Sequence, residues 1–411
     1  MKNFVEKNMH KLTKSIILLV VFSCCVTIYA QNATNSPYSR FGYGELNDNS
    51  TGLSRSMGGL SIGLRQQNAI NPNNPATYSA IDTTTFAMDL GVSLLGTFYG
   101  DSNGKNAKIN GNLEYLCLQF PIWKYIGFSA GILPYSATGY EFELERTLNA
   151  NAHYSLNYYG EGNISEVYGG LSFNILNWFA AGANIYYMWG EIANYRGVVF
   201  TESGQTSVIE TSEFNIHDYR LRYGAQLFHT FGNHGFTIGA IFEPTKKLNG
   251  TFTRYELATL DTTRLDNSFD LPMEWGVGLS YCFADNLTIG VDYKTTDWSN
   301  AMYFGQKNSL KSQSRLSLGI QYRHNAIGRN YGERMYWRVG AFVKDSYIQQ
   351  SNSKDFGVSM GFGFPLRNIG TIINTTFEYG HRGTRNTLEE HYVRFTLSTA
   401  IAENWFFKRR L

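Results

Sequence analysis

Hydrophobic and polar residues alternate along most of the chain after Thr84. Glu274–Phe283 is typical, because its odd-numbered positions are apolar or aromatic and its even-numbered positions are Glu, Gly, Ser or Cys. The same two-residue period recurs in Trp178–Trp189, Thr371–Gly380 and Tyr392–Ile401. Since successive side chains of a β-strand point to opposite faces, this period predicts strands with one apolar and one polar face.

The chain contains fourteen segments of this kind. They lie near residues 84–98, 110–121, 125–141, 163–176, 178–200, 210–230, 235–255, 269–283, 286–297, 313–325, 334–348, 353–365, 371–382 and 391–401. Their connections alternate between tight turns, such as residues 121–124 and 284–286, and longer polar loops, such as residues 143–162 and 298–312. This alternation is typical of outer-membrane barrels. The sequence therefore predicts an all-β fold, a 14-stranded antiparallel transmembrane β-barrel formed by residues 84–401.

Composition limits the classes of fold and partner that fit this pattern. No apolar run after residue 30 reaches the roughly 20 residues that a membrane-spanning helix needs. A soluble β-sandwich or propeller would explain the alternation, but the many aromatic residues at strand ends fit the interfacial girdles of a membrane barrel. The net charge of +2, without a basic tract, gives no indication of a nucleic-acid partner.

Residues 1–30 have the pattern of a signal peptide. A basic start precedes the apolar segment Ser15–Ile28, and Ala30 offers a cleavage site before Gln31. A lipoprotein signal through Cys24 is the alternative. Export without a further spanning helix predicts the outer membrane of a Gram-negative cell, where the barrel contacts outer-membrane lipid.

Residues 31–83 are neither strand-like nor helix-like. Glycines and two Asn-Pro pairs dominate the segment. A structureless segment this long is usually disordered or held inside another structure. We predict that it forms an N-terminal hatch or plug in the barrel lumen, and the alternative is a flexible periplasmic tail. Residues 402–411 form an aromatic and basic C-terminal tail, which suits a membrane interface, an extension of the last strand or a short extra strand.

Charged side chains are predicted on the lumen face. By strand parity the inward set is Arg220, Arg222, Lys294, Arg315, Arg323, Arg334, Arg338, Arg394, Glu114, Glu274, Asp292 and Glu378. Charges at membrane depth are costly unless they are paired or hydrated, so one interpretation is ion pairs with one another and with the plug. The other is an electropositive passage that attracts an anionic ligand. Both can hold together.

Residues with catalytic or metal-binding chemistry are scattered. The histidines form no ligand pair at helical spacing and have no cysteine partner, so we expect no metal. No Gly-x-Ser-x-Gly motif is present, and we expect neither an enzyme nor a cofactor. After signal cleavage, Cys117 and Cys282 remain. Parity places Cys282 in the lumen and Cys117 towards lipid, so no disulfide is expected between them.

The plug segment resembles a known family. Residues 50–59 (STGLSRSMGG) and 71–76 (NPNNPA) resemble the N-terminal hatch of FadL-type, or TodX-like, long-chain fatty-acid transporters. Residues 37–44 and 405–410 look like versions found in Bacteroidota. The resemblance implies a fourteen-stranded barrel that takes up hydrophobic molecules through capture outside, hatch movement and exit through the barrel wall. The gating residues would be Gly52, Leu53, Arg55, Gly58, Gly59, Asn71, Pro72, Asn74, Pro75 and Ala76.

Two functions follow as hypotheses. The first is passive uptake of hydrophobic, acidic or fatty-acid-like small molecules, gated by the hatch. The second is a non-transporting barrel subunit of an outer-membrane protein assembly or secretion complex, with a permanent plug and other subunits as partners. A continuous apolar path from the loops to the hatch favours the first, and a lumen sealed by paired charges favours the second. An enzyme would need a nucleophile or a carboxylate pair at the lipid face.

Overall fold

The computed structural model of the chain describes residues 33–67, 69–100, 104–149, 152–200, 207–349, 353–366, 370–383 and 388–405. The predicted signal peptide and the end of the predicted tail, from residue 406 onward, lie outside these ranges.

Fourteen antiparallel strands form a closed barrel, as the sequence pattern predicts. In chain order they are β1 Thr85–Gly100, β2 Lys105–Trp123, β3 Ile126–Asn149, β4 Ala152–Leu176, β5 Phe179–Phe200, β6 Val208–Phe231, β7 His234–Glu243, β8 Glu274–Phe283, β9 Leu287–Thr296, β10 Gln313–Tyr322, β11 Tyr336–Asp345, β12 Lys354–Pro365, β13 Ile372–Gly383 and β14 Glu389–Asn404. Each strand pairs with the next, and β14 pairs with β1 to close the sheet.

The faces of the barrel are inverted relative to a soluble protein. On β8, Trp275, Val277 and Leu279 lie outside and are 40–47% exposed, whereas Gly276 and Ser280 between them are buried. The other strands repeat this pattern, with aliphatic and aromatic side chains outside and small or polar ones inside. An apolar outer face and a polar interior are what a lipid-embedded barrel requires.

Strand lengths differ around the barrel. Strands β7 to β11 have 10 residues each, which is about the length that crosses a bilayer. Strands β3 to β6 have 22–25 residues and continue beyond the long-loop end. The expected loop over residues 143–162 is therefore wrong: alternation continues there, and the rings of Phe142 and Tyr158 stack across β3 and β4 at 5.0 Å.

Several other boundaries differ from the expected ones. The strand expected at residues 235–255 ends at Glu243, because Pro244 cannot donate to the strand ladder. The chain then forms a hairpin, Gly250–Glu256 with Asp261–Asp266, whose first strand pairs with β6. At the C-terminus, β14 continues to Asn404, beyond the expected end at residue 401.

The remaining elements are short. They are two 3₁₀-helices, Pro37–Arg40 and Pro75–Ala80, two single-turn α-helices, Gly52–Arg55 and Tyr331–Arg334, and the two-residue strands Glu45–Leu46, Lys246–Lys247 and Asp270–Leu271. Within the described ranges, no helix has the length and apolarity needed to cross a membrane.

A β-bulge in β2 reverses the strand parity. Gly91 lies opposite Tyr115, but the next residue, Val92, lies opposite Leu113, so Glu114 is the extra residue. Glu114 and Tyr115 therefore both point inward, and Cys117 is fully buried inside the barrel. The expectation that Cys117 faces lipid is wrong because an extra residue shifts every later side chain to the other face.

Candidate functional site

Residues 33–67 and 69–84, which we call the plug, contact inward-facing side chains of the barrel wall. The centre of the plug is a small apolar cluster of Leu53, Met57, Leu60 and Leu64, surrounded by polar contacts to the wall. The single helical turn Gly52–Arg55 is followed by Gly58 and Gly59, whose φ angles of 70° and 86° lie in the left-handed region. Glycine is favoured there, so this part of the motif encodes a sharp turn.

Both ends of that turn are attached to the wall. The Gly52 N–H donates to the Tyr115 hydroxyl at 2.7 Å, and the Gly58 N–H donates to Ser359 Oγ at 3.0 Å. The Arg315 guanidinium donates to the Gly58 carbonyl at 3.1 Å. Backbone groups that regular secondary structure leaves unpaired are thus paired with side chains of the wall.

Asp292 on β9 holds the next part of the plug. Its carboxylate accepts backbone N–H groups from Ser61 and Ile62, both at 2.6 Å, and from Gly63 at 3.1 Å. The carboxylate is 4% exposed. Sequence parity predicted its inward position but not this role, because its partners are backbone atoms without a sequence signature.

The Asn-Pro pairs form the base of the plug. Asn71 and Asn74 donate to the carbonyls of Ser61 and Ile62 at 2.6 and 2.8 Å, and Asn74 Oδ1 also caps the helix Pro75–Ala80 by accepting the Ala76 N–H. These contacts join the two halves of the plug to each other. Wall side chains donate to backbone carbonyls of this base. Asn184 and Tyr186 donate to the Pro72 carbonyl at 3.0 Å, and Ser172 donates to the Ala76 carbonyl at 2.9 Å.

Inward-facing glycines of the wall let the plug backbone approach closely. A Cβ added at Gly340 would lie 2.1 Å from the Gly58 nitrogen, and one at Gly239 would lie 2.0 Å from the Ile62 carbonyl oxygen. Other wall glycines in such contacts are Gly127, Gly182, Gly278 and Gly319. The wall and plug therefore pack backbone against backbone, and sequence parity could have indicated this from the glycines at inward positions.

One charge cluster lies within the wall. Arg220 donates to both oxygens of Glu166 at 2.8–3.1 Å and to Glu243 at 2.5 Å. Arg222 donates to Glu243 at 3.0 Å and to Glu274 at 2.9 Å, and Lys294 pairs with Glu274 at 3.4 Å. Glu166 and Glu243 are not among the predicted lumen charges, although the alternation of residues 163–176 already places Glu166 inward.

A second cluster joins the plug to the wall. Arg55 contacts Glu114 at 2.8 Å, Asp48 at 3.8 Å and Glu378 at 3.9 Å, and Arg315 contacts Asp48 at 2.8 Å. Burial acts to raise the pKa of the Asp48 carboxyl, but the two guanidinium groups outweigh it and hold that pKa well below its usual range. Plug and wall are thus held together by buried opposite charges.

The plug strand Glu45–Leu46 is also held by an ion pair with the wall. The Glu45 carboxylate accepts from Arg382 at 2.7 Å and from Thr34 Oγ1 at 2.6 Å. Burial would raise the pKa of Glu45, but Arg382 and the Thr34 hydrogen bond lower it to about 2.

The other predicted lumen charges have different positions. Arg338 points inward but donates to the neutral side chains of Gln321 and Asn374, both at 2.7 Å. Arg394 also points inward and lines a small cavity together with Glu378. Arg323 and Arg334 do not lie in the lumen, because β10 ends at Tyr322 and both residues belong to the connection that follows.

The cavities differ in size along the lumen. Spaces of about 70 and 100 Å³ lie beside the two charge clusters, and the larger holds roughly three waters. A cavity of about 650 Å³ lies at the long-loop end and is lined by Phe214, Phe252, Tyr303, Phe304 and several charged residues.

Strands β2 and β3 separate at the level of the plug. They pair from Leu116 and Ile132 to the turn, but their further residues, 105–115 and 133–149, do not pair with each other in the described structure. Glu45–Leu46 pairs instead with β3 at Ala137 and Ser136. Part of the plug therefore replaces a neighbouring strand at this point of the wall.

Comparison with known proteins gives a family and a fold. The family model BamG matches residues 12–411. No curated protein sequence matches the chain. The Ralstonia pickettii toluene transporter TbuX is similar in structure, with a TM-score of 0.62 and 14% identity over 87% of this chain and 99% of that chain.

Two further solved structures are similar. The Pseudomonas putida toluene transporter TodX has a TM-score of 0.58 and 15% identity over 91% of this chain and 100% of its own. A Pseudomonas aeruginosa FadL homologue has a TM-score of 0.55 and 12% identity over 87% and 98%. At such low identity these structures support a common fold alone. The expected FadL-type resemblance is confirmed for the barrel, whereas the matching family model has another name.

Proposed function

We propose that this chain, which belongs to the BamG family, is a non-transporting β-barrel subunit of an outer-membrane complex for protein assembly or secretion. In this proposal the plug is a permanent part of the barrel. The expected FadL-type resemblance holds for the barrel fold, whereas the matching family model is BamG.

The observation that carries the proposal is the way the plug is fixed. A hatch that moves must break its contacts at low cost. Here Asp292 would lose three backbone donors at once, and Arg55 would lose its 2.8 Å contact with the Glu114 carboxylate. Breaking one buried ion pair typically costs about 3–5 kcal/mol, and an unsatisfied buried donor costs about 1–3 kcal/mol. Displacement of the plug would combine several such losses.

We assign partner contact to the part of the barrel where the strands are longest. Strands β3 to β6 continue beyond the membrane-spanning length, and the hairpin Gly250–Glu256 and Asp261–Asp266 widens this sheet by pairing with β6. Such a one-sided projection is not needed to close a barrel. We call strands β3 to β6 beyond the barrel, together with the hairpin, the projecting sheet.

Co-purification tests this proposal. The protein is extracted with mild detergent at its native expression level, and mass spectrometry identifies what accompanies it. We expect stoichiometric protein partners, and their loss when residues 251–266 are replaced by a Gly-Ser turn. A matched control replaces residues 324–329, at the opposite end, with a turn of the same kind. A lone barrel carrying a bound fatty acid would contradict the proposal.

Passive uptake of hydrophobic, fatty-acid-like molecules is a second candidate function. Two observations favour it: the 650 Å³ cavity with its aromatic lining, and the separation of β2 from β3 at the plug. A molecule leaving sideways would have to displace Glu45–Leu46 from β3. The solved structures of similar fold include toluene transporters, which adds to this candidate.

A disulfide between plug and wall separates the two functions. A Cβ built at Gly52 lies 2.9 Å from the Ser398 Cβ, somewhat less than the roughly 3.8 Å of a disulfide. Gly52→Cys with Ser398→Cys should therefore lock the plug, and Ser398→Cys alone is the control. Uptake of a labelled fatty acid that stops on oxidation and returns on reduction would establish transport. For a permanent plug we expect no uptake in the oxidised or the reduced variant, and the same protein partners should co-purify in both.

A further inference from the structure

Two histidines and a glutamate meet on the outer face of the barrel, at the long-loop end. His381 on β13 lies directly opposite His391 on β14 in the strand register. Glu389 precedes His391 by two residues, so both side chains project from the same face of β14. These residues form no ligand pair at helical spacing, but strand pairing brings them together.

The three ligand atoms have the spacing of a metal site. His381 Nε2 lies 3.1 Å from Glu389 Oε1, and His391 Nε2 lies 3.5 Å from the same oxygen. One ligand atom from each residue can be chosen so that all lie within 4.8 Å of one another. In a tetrahedral zinc site with bonds of about 2.0–2.1 Å, neighbouring ligand atoms are separated by about 3.3–3.4 Å. The observed distances bracket this value.

The surroundings support ligand binding. The Tyr379 hydroxyl lies 2.8 Å from His391 Nδ1, which leaves Nε2 directed at Glu389. Fixing one ring nitrogen in this way orients the other for a metal. The side-chain exposures are 16% for His381, 36% for Glu389 and 40% for His391, so no other described part of the chain covers the group.

We propose that His381, Glu389 and His391 bind a divalent transition metal of the zinc class. Imidazole with one carboxylate suits zinc, copper or nickel better than magnesium or calcium. Three protein ligands leave a fourth position for water or for a ligand from another molecule. The inference is independent of the proposed function, because it rests on the outer face and not on the plug.

Zinc titration of the untagged, detergent-solubilised protein tests the site, with a chromophoric chelator as competitor. We expect one Zn²⁺ per chain. Loss of an orienting outer-shell group costs 10–100-fold in metal affinity, so His381→Ala and His391→Ala should each weaken binding by at least about 100-fold. His324→Ala is the matched control, because that histidine lies after β10 beside Tyr322 and should leave the affinity unchanged.

A second readout separates ligation from a simple ion pair. Cobalt(II) should give the visible absorption of a tetrahedral complex in the unmodified protein and in His324→Ala, but not in His391→Ala. Heat-modified gel migration shows that each variant still forms a folded barrel. An unsaturable titration, or an affinity that is unchanged in the double variant of His381 and His391, would overturn the proposal.

Discussion

The two halves of this lumen are built on different principles. In the half near the short turns, plug and wall pack backbone against backbone at Gly340 and Gly239, Asp292 accepts three backbone N–H groups, and Arg55 pairs with Glu114. In the half near the long loops, aromatic side chains surround a cavity of about 650 Å³. The lumen is therefore open at the long-loop end and filled by tightly packed residues at the plug.

The boundary between the halves is aromatic. Tyr43 of the plug lies 5.3 Å from the Trp298 ring, 5.5 Å from Tyr303 and 5.7 Å from Phe214, and its hydroxyl donates to the Asp270 carbonyl at 3.1 Å. This arrangement fixes the start of the plug beneath the cavity. A molecule that entered from the loops would meet a packed surface there.

Removing a wall carboxylate should have the largest effect on the free energy of unfolding. Glu166→Ala deprives Arg220 of its two-oxygen partner while the guanidinium stays buried, so we expect a loss of about 3–5 kcal/mol in the free energy of unfolding. Urea unfolding followed by tryptophan fluorescence measures it. Asp266→Ala at the long-loop end is the matched control, because its pair with Arg264 is exposed, and we expect no measurable change. Equal effects of both changes would remove the distinction between the halves.

Asp292→Ala should have the next largest effect. It leaves three backbone N–H groups of the plug without their acceptor, which should cost roughly 3 kcal/mol. We also expect the plug to become sensitive to protease while the barrel strands remain protected. Asp292→Asn, which keeps one acceptor oxygen, should lose less. A plug that stays protected in Asp292→Ala would show that other contacts suffice.

A methyl group at Gly340 should act through steric conflict alone. Its Cβ would overlap the backbone of Met57 and Gly58, and overpacking of this kind typically costs about 1–3 kcal/mol. Gly169→Ala on β4 is the matched control, because a Cβ there meets nothing within 4 Å. Comparison of the two unfolding midpoints measures the difference. If both variants are equally stable, the plug does not press on the wall.

The smallest effect on stability is expected from a substitution in the lining of the cavity. The Phe304 ring packs edge-on against Phe252 at 4.6 Å, a contact worth about 0.5–1.5 kcal/mol. Phe304→Ala should therefore lower stability by about 1 kcal/mol and leave protease protection of the plug unchanged. Release of the plug by this change would mean that the two halves are coupled.

The sequence predicted the barrel well because its period-2 pattern is a local signal. All fourteen strands are present, and most errors concern their ends, such as the strand that stops before Pro244. The position of Cys117 was missed because one extra residue at Glu114 is invisible in an alternating pattern and reverses everything after it. A bulge of this kind is fixed by pairing with a neighbouring strand.

The site was less predictable than the wall. Parity identified Arg220, Arg222 and Asp292 as inward residues, but their partners depend on register between distant strands and on plug backbone atoms. Glu243, the last residue of β7, was not among the predicted lumen charges. The pair of His381 and His391 required the register of β13 with β14, which sequence spacing does not contain.

Hydrogen exchange of plug amides tests the permanence of the plug most directly. The Gly52, Ser61, Ile62 and Gly63 N–H groups all donate to wall side chains, so exchange requires that the plug leave its contacts. In the solubilised protein, we predict that peptides covering these residues exchange as slowly as those from β8 to β10. Exchange of the plug within seconds, while the barrel strands stay protected, would identify a moving hatch and contradict the account.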